Sequence, residues 1–328
     1  MAGPILEIRD LSASYDSQGT RVPAIRHVDL ELHEGETLAL VGESAAGKSS
    51  VALSILGLLP DNATIEGGSI QFRGEQILGL DRAQLQHIRG AEIAMIFQDA
   101  QSALTPTLTV GEQLAEIYRA HRGASKREAR SMALERLRAV LPDADRVAAA
   151  FPFQLSGGMA QRVMIAMATA LQPRIIIADE PTASLDAAVR METLAALERL
   201  RDDRGVAVLL ITHDFGVVAR LADRVAVMYA GEIVEQADVR TVFRTPEHPY
   251  TFGLLSSLPA FAPEGGRLEP MRGQPPDLAT LEPQCPFLPR CRKAISACRI
   301  EDAPRLEVTS EGHTVACYNP MAVPLRGQ

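Results

Sequence analysis

Residues Gly42-Glu-Ser-Ala-Ala-Gly47-Lys48-Ser49 limit what this chain can become more than any other feature. They fit G-x-x-x-x-G-K-[ST], and the flanks are right for it. The apolar run Thr37-Leu-Ala-Leu-Val41 predicts a strand before the loop, and apolar residues at helical spacing predict a helix from Ser49 to Leu59 after it. Glycines let main-chain N–H groups approach phosphate oxygens, and a helix N-terminus adds positive potential. Lys48 can place a compact cation on the β- and γ-phosphates, and the Ser49 hydroxyl can ligate Mg2+. Gly42, Ser44, Gly47, Lys48, Ser49 and Ser50 are therefore candidate nucleotide-binding residues. The plain alternative is a glycine-bearing strand-to-helix turn; motif and context together favour nucleotide.

Ile93-Ala-Met-Ile-Phe97, Ile175-Ile-Ile-Ala178 and Val206-Ala-Val-Leu-Leu-Ile211 are continuous apolar runs, as expected of strands buried on both faces. Each precedes a loop and a helical pattern, which predicts an α/β sheet with crossover helices. Asp179 and Glu180 follow one of these runs, at the strand end where open α/β sheets bind ligands. One carboxylate suits Mg2+, and the next can accept a hydrogen bond from an attacking water. An isolated Asp-Glu pair would be an ordinary solvated strand end; beside a phosphate loop the functional reading is preferred. Arg224–Met228 and Glu232–Glu235, joined by Tyr229-Ala-Gly231, predict a hairpin. Glu112 to Arg138 is rich in Ala, Arg, Glu, Leu and Lys, a helix-forming stretch that interrupts the strands. Beyond Gly265 the chain is irregular and proline-rich (Pro270, Pro275, Pro276, Pro283, Pro286, Pro289), and little periodic core is expected there. Residues 1–84 and 166–240 are assigned to the α/β core, 85–165 to an inserted helical subdomain and 241–328 to a small extension.

Composition excludes some classes. Hydrophobic residues make up 46% of the 328, which predicts a folded chain. The 33 basic and 41 acidic residues leave a net charge of −8, which argues against nucleic acid as a partner. No run approaches about 18 consecutive apolar residues, so no bilayer-spanning helix is expected. The start, Met1-Ala-Gly-Pro-Ile-Leu-Glu-Ile-Arg, does not read as a secretory signal.

Leu155-Ser-Gly-Gly-Met159-Ala-Gln161, taken with the two motifs above, resembles the signature of ATP-binding-cassette (ABC) ATPases. Ser156 could equally be a helix N-cap, and both readings can hold. The remaining cassette elements follow in the family's order. Gln98 resembles the Q-loop glutamine, Ser184-Leu-Asp186 the D-loop and His213 the switch histidine, while Tyr15 is placed like the aromatic that stacks on adenine. Singly, each has a plainer reading as a surface, capping or core residue. The resemblance covers roughly residues 5–240. It implies a P-loop NTPase (RecA-like) core in which two cassettes meet head to tail over ATP. Lys48, Ser49, Gln98, Asp179, Glu180 and His213 would then serve one site, and Ser156, Gly157 and Gly158 the other. Mg2+ would fall to Ser49, Gln98 and Asp179, the water to Glu180, and the γ-phosphate contact to His213. Two positions depart from the common pattern: Ala45 stands where many cassettes have glycine, and Met159 where glutamine is common.

Met95-Ile-Phe-Gln-Asp99, Leu108-Thr-Val-Gly-Glu-Gln113, Thr245-Pro-Glu-His248-Pro249-Tyr250-Thr251 and Gly273-Gln-Pro-Pro-Asp-Leu278 resemble the dipeptide/oligopeptide/nickel importer branch. That resemblance extends over nearly the whole chain. It implies a peripheral ATPase at the cytoplasmic face of the cell membrane. Its partners would be two permeases, a second ATPase subunit that the branch's habit makes non-identical, and, indirectly, a solute-binding protein. Peptide uptake is the expected role; nickel or another small solute, or a non-transport cassette ATPase, are the alternatives. His248-Pro249 also reads locally as a turn with proline in a helix's first turn.

Cys285, Cys291, Cys298 and Cys317 are separated by five, six and eighteen residues. Zinc sites usually contain a tighter C-x(2–4)-C pair. Four thiolates suit a [4Fe–4S] cluster, whose ligands must be spread around a cube. Arg290, Arg292, Lys293 and Arg299 could offset its charge. Some members of the branch carry such a cluster. Zinc, unligated thiols or a disulfide remain open, and His313 is a conceivable substitute ligand.

Overall fold

A computed structural model describes residues 3–183, 185–261 and 271–322. Ser184 of the D-loop reading and Pro270 of the proline-rich segment lie outside the described residues. The strands are β1 (Leu6–Ser17), β2 (Thr20–Leu32), β3 (Thr37–Val41), β4 (Ala63–Phe72), β5 (Glu75–Gln76), β6 (Ile93–Ile96), β7 (Ile175–Asp179), β8 (Ala207–Thr212), β9 (Arg224–Tyr229), β10 (Glu232–Asp238), β11 (Glu307–Ser310) and β12 (His313–Val315). The chain folds into two compact units.

The first unit comprises Met1–Glu31, Leu38–Leu78 and Thr212–Gln328. It holds an antiparallel sheet in the order β2-β1-β4-β5 and a run of strands in the order β11-β12-β10-β9-β3. β3 lies parallel to β9, with Val41 opposite Val227. Every residue of β3 is buried, as a strand covered on both faces requires. The long N-terminal strands β1, β2 and β4 were not expected. β1 and β2 are joined by a tight turn through Gln18 (φ 53) and Gly19 (φ 82). The predicted hairpin is β9 and β10, with Ala230 (φ 48) and Gly231 (φ 87) in its turn. The helix after the phosphate loop is shorter than its pattern suggested, Lys48–Ile55. Gly57 turns left-handed at φ 58 and the Leu58 N–H bonds back to the Leu53 carbonyl (2.8 Å), which closes the helix before Leu59.

The extension is better packed than its composition implied. Tyr250, Leu255 and Phe287 are buried against Tyr229, Val227 and Val225 of β9. Phe287 lies in the proline-rich stretch, so no periodicity announces it. Helix Pro249–Ser256 begins with Pro249 in its first turn, and the His248 Nδ1 accepts the Tyr250 N–H (3.1 Å) as its cap. The hairpin β11–β12 adds to β10, with Val315 opposite Glu235.

The second unit comprises Leu32–Thr37 and Gly79–Ile211. Its parallel strands run β8-β7-β6, with Ile175 opposite both Ala207 and Ile93. The helix-forming stretch is two helices, Val110–Arg122 and Lys126–Arg138. Each starts with a reciprocal capping box, Thr109 with Glu112 and Ser125 with Glu128. Gly123, at φ 62, ends the first.

Candidate functional site

In the first unit the phosphate loop leaves β3 and wraps against the end of β9. A Cβ on Gly42 would lie 2.2 Å from the Met228 carbonyl oxygen. One on Gly47 would lie 2.2 Å from the Ala24 carbonyl oxygen and 2.7 Å from the Met228 Cε. Gly47 also sits at φ 105, so both steric and conformational demands select glycine. Gly47 precedes the first helical turn, and no side chain caps that N-terminus. Its amides are thus oriented for an anion. Lys48 is buried, and its Nζ donates to the carbonyls of Gly42 (2.8 Å) and Glu43 (2.9 Å). Ser44, Ala45 and Ser49 are exposed on the loop. Ala45 adopts φ 63, the conformation in which glycine is usual. The half-buried Tyr15 comes beside this helix: its hydroxyl lies 3.0 Å from Ser50 Oγ. His213 is exposed just beyond β8, ahead of a helix that Asp214 caps through the Gly216 N–H (2.8 Å).

The second unit carries the other candidates. Asp179 ends β7 and is only 5% exposed. Glu180 is half-buried and left-handed at φ 47, and its N–H donates to the Ile211 carbonyl (2.8 Å). Holding a glutamate there costs of order 1–3 kcal/mol, a kind of strain that concentrates at functional sites. Gln98 is exposed just after β6. Ser156 does cap helix Gly157–Ala168, its Oγ accepting from the Met159 N–H (3.3 Å). Gly157 has open space around it, whereas a Cβ on Gly158 would lie 2.7 Å from Val189 Cγ2. Gly158 thus lets this helix meet helix Ala187–Arg204, which Asp186 caps through the Ala188 (3.0 Å) and Val189 (3.1 Å) N–H groups.

Cys285, Cys291, Cys298 and Cys317 line one small cavity with Phe287 and Lys293, and none is disulfide-bonded. Burial, together with the neighbouring thiols, pushes Cys285 and Cys317 each up to about 11. Among the described residues, no group of three or more His, Cys, Asp or Glu side chains is arranged to hold a metal ion. Two sequence expectations need correction here. His313 is not beside the thiols: its Nε2 pairs with the buried Glu235 (2.8 Å) and its Nδ1 faces Glu247 (3.5 Å). Arg290 does not offset thiolate charge; its guanidinium grips Glu43 of the phosphate loop through two bonds, 2.6 and 2.9 Å. Sequence reasoning missed that pair. An acidic residue inside a loop meant for a polyanion was the available signal, since it calls for a counter-charge.

A loop that only glycines can build, leading into an uncapped helix over a buried lysine, defines a phosphate-loop nucleotide-binding protein. Known proteins narrow the class. The ABC transporter profile matches residues 25–183, and that of the oligopeptide/dipeptide transporter C-terminal region matches 234–298. The oligopeptide transport ATP-binding protein OppD of Salmonella typhimurium is 43% identical over 321 residues, covering 98% of this chain and 95% of that protein. The dipeptide transport ATP-binding protein DppD of Bacillus subtilis is 44% identical over 317 residues, 96% of this chain and 94% of that one. A dimeric, post-hydrolysis structure of the ATP-binding cassette MJ0796 bound to ADP and Pi superposes with a TM-score of 0.64 at 32% identity, over 72% of this chain and 99% of that one. The chain belongs to the ABC transporter ATPase family, in the branch with the oligopeptide/dipeptide C-terminal region. ATP is its nucleotide and hydrolysis its reaction.

Proposed function

We propose that this ATPase powers import of dipeptides or oligopeptides across the cytoplasmic membrane, docked on the inner face of two permease subunits. The observation that carries the reading is the match to OppD and DppD across both the cassette and the extension. Among the described residues no helix is long and apolar enough to cross a membrane, so membrane passage is assigned to the permeases. In this reading residues 1–84 and 166–240 form the ATP-binding core, 85–165 the signature subdomain and 241–328 the extension. A second ATPase subunit, different in sequence, completes the sandwich, and a solute-binding protein delivers the peptide.

Each residue then has a task. Gly42, Ser44 and Gly47 shape the loop whose amides bind the phosphates, Ser50 adds a binding residue from the first helical turn, and Lys48 exchanges its carbonyl partners for phosphate oxygens. Tyr15 stacks on adenine. Ser49, Gln98 and Asp179 offer the hard oxygen donors that Mg2+ prefers, and the ion supplies charge neutralisation when bound. Glu180 orients and polarises the water, and His213 contacts the γ-phosphate. Ser156, Gly157 and Gly158 close on the γ-phosphate bound to the partner cassette, with Asp186 beside that seam. Closure on ATP and reopening after hydrolysis bias the permeases between two states. Replacing Glu180 by Gln should leave ATP bound and slow turnover by about a hundredfold or more. Steady-state hydrolysis at the wild-type rate would remove Glu180 from this role. Uptake of labelled dipeptides by the reconstituted assembly tests the cargo, and nickel uptake instead would redirect it.

Cys285, Cys291, Cys298 and Cys317 are proposed to hold a [4Fe–4S] cluster as a structural staple. Four soft donors lining one cavity support this, although their side chains are not arranged around a common centre and would have to turn toward one to bind the cluster. Metal binding to thiols releases their protons, and the raised proton affinities of Cys285 and Cys317 make that release costlier. Anaerobically purified protein should be brown, with broad absorbance near about 400 nm. Stoichiometric zinc without iron would replace the cluster by a zinc site.

A further inference from the structure

Glu43 is an electrostatic oddity. It is the second residue of a loop built to receive a polyanion, and it is only half-buried. The extension meets it in two ways. Arg290, whose side chain is 4% exposed, donates from Nη1 and Nη2 to the two Glu43 carboxylate oxygens (2.6 and 2.9 Å). Its Nε donates to the Arg272 carbonyl (3.0 Å), and the guanidinium lies 5.8 Å from the Tyr229 ring centre and 5.9 Å from that of Phe287. Glu43 raises the Arg290 proton affinity further, so the cation is permanent. Independently, the Glu43 main-chain N–H donates to the Tyr250 hydroxyl (2.8 Å). Tyr250 is fully buried between Tyr229 and Phe287, with ring centres 4.5 and 5.5 Å away. The Glu43 carbonyl, in turn, is one of the two that hold Lys48. Side chain, amide and carbonyl of one loop residue are thus tied to the extension and to the phosphate-binding lysine.

We propose that Arg290 and Tyr250 are positioning residues of the nucleotide site: Arg290 cancels the Glu43 charge that would repel a triphosphate, and Tyr250 fixes the loop's first turn. The extension thereby sets ATP affinity from within the same unit. The inference rests on the ATPase reading and deepens it. Removing Arg290 exposes one uncompensated carboxylate near the phosphates, which should weaken MgATP binding by about tenfold. Losing the Tyr250 hydroxyl removes one hydrogen-bond acceptor from the loop amide, worth about fivefold.

The test is equilibrium titration of the full-length chain with MgATP. Arg290→Met should bind about tenfold more weakly. Adding Glu43→Gln to Arg290→Met should restore affinity to within about threefold of wild type, because the repelling charge has gone. Tyr250→Phe, which keeps the ring packing, should raise the KM for ATP while kcat stays put. Failure to rescue by Glu43→Gln, or wild-type affinity in both Arg290→Met and Tyr250→Phe, would overturn the proposal. If Arg290→Met does not fold, Tyr250→Phe decides alone. Wild-type protein that failed to bind MgATP would instead overturn the ATPase reading.

Discussion

Gly47→Ala is the sharpest perturbation of the phosphate loop, because its cost can be worked from coordinates. Two penalties act. The backbone stands at φ 105, and an L-residue forced into positive φ loses about 1–2 kcal/mol. The new methyl would also lie 2.2 Å from the Ala24 carbonyl oxygen, a main-chain atom of β2 that cannot rotate away. Overpacking of this kind costs about 1–3 kcal/mol. Together the binding-competent loop is disfavoured by about 2–5 kcal/mol, and apparent affinity falls with the fraction still competent. At about 1.4 kcal/mol per tenfold, MgATP binding should weaken at least about thirtyfold. Gly19→Ala is the matched control: φ is 82, yet nothing lies within 4 Å of its would-be Cβ. It should lose some stability and no nucleotide affinity. Titration with a fluorescent ATP analogue, beside circular dichroism to verify folding, reads both. Gly47→Ala binding within about threefold of wild type would refute the close-approach argument. An equal loss in Gly19→Ala would show that the effect is not local to the loop.

Ala45→Gly should stabilise the chain: relief of about 1–2 kcal/mol at φ 63, less about 0.5–1 kcal/mol of added unfolded-state entropy, leaves about 0–1.5 kcal/mol in its favour. A denaturant midpoint below wild type would contradict this. Burial alone would lower the His313 affinity for protons, but Glu235 at 2.8 Å and Glu247 outweigh it and raise it above the ordinary histidine value. The pair's stabilisation is therefore full below about pH 6.5 and is lost as pH rises through the raised value. The stability gap between wild type and His313→Gln should shrink as pH rises above about 6.5; a gap that widens would reverse the assignment. Gly158→Ala, whose methyl would lie 2.7 Å from Val189 Cγ2, should cost about 1–3 kcal/mol of stability. Gly157→Ala, which meets nothing, should cost less, and equal losses in thermal melts would argue against the Val189 contact.

What the sequence made legible was local. The phosphate loop, the buried strands β3, β6, β7 and β8, and the β9–β10 hairpin each carry their signal within a few consecutive residues: a run of apolar side chains, a glycine spacing, a turn pair. The signature serine's cap and the proline at the start of helix Pro249–Ser256 were legible for the same reason. What stayed hidden depends on partners far along the chain. β1 and β4 pair across more than fifty intervening residues around Leu6 and Phe72, and their alternation is blurred by the irregular register between Arg9 and Ala13. The left-handed Glu180 cannot be read from its identity, since nothing about glutamate favours that conformation. Arg290 is the instructive case. Along the chain it precedes Cys291 and follows Cys285 by five residues, so nearness in sequence assigned its charge to the thiols. In space its guanidinium is planar, forked and nearly inaccessible to water, a geometry matched to one carboxylate rather than to a cavity of thiols. A cation held that way is committed to its partner, so the cysteine-bearing segment reaches the phosphate loop through Glu43 whether or not any metal fills the cavity beside it.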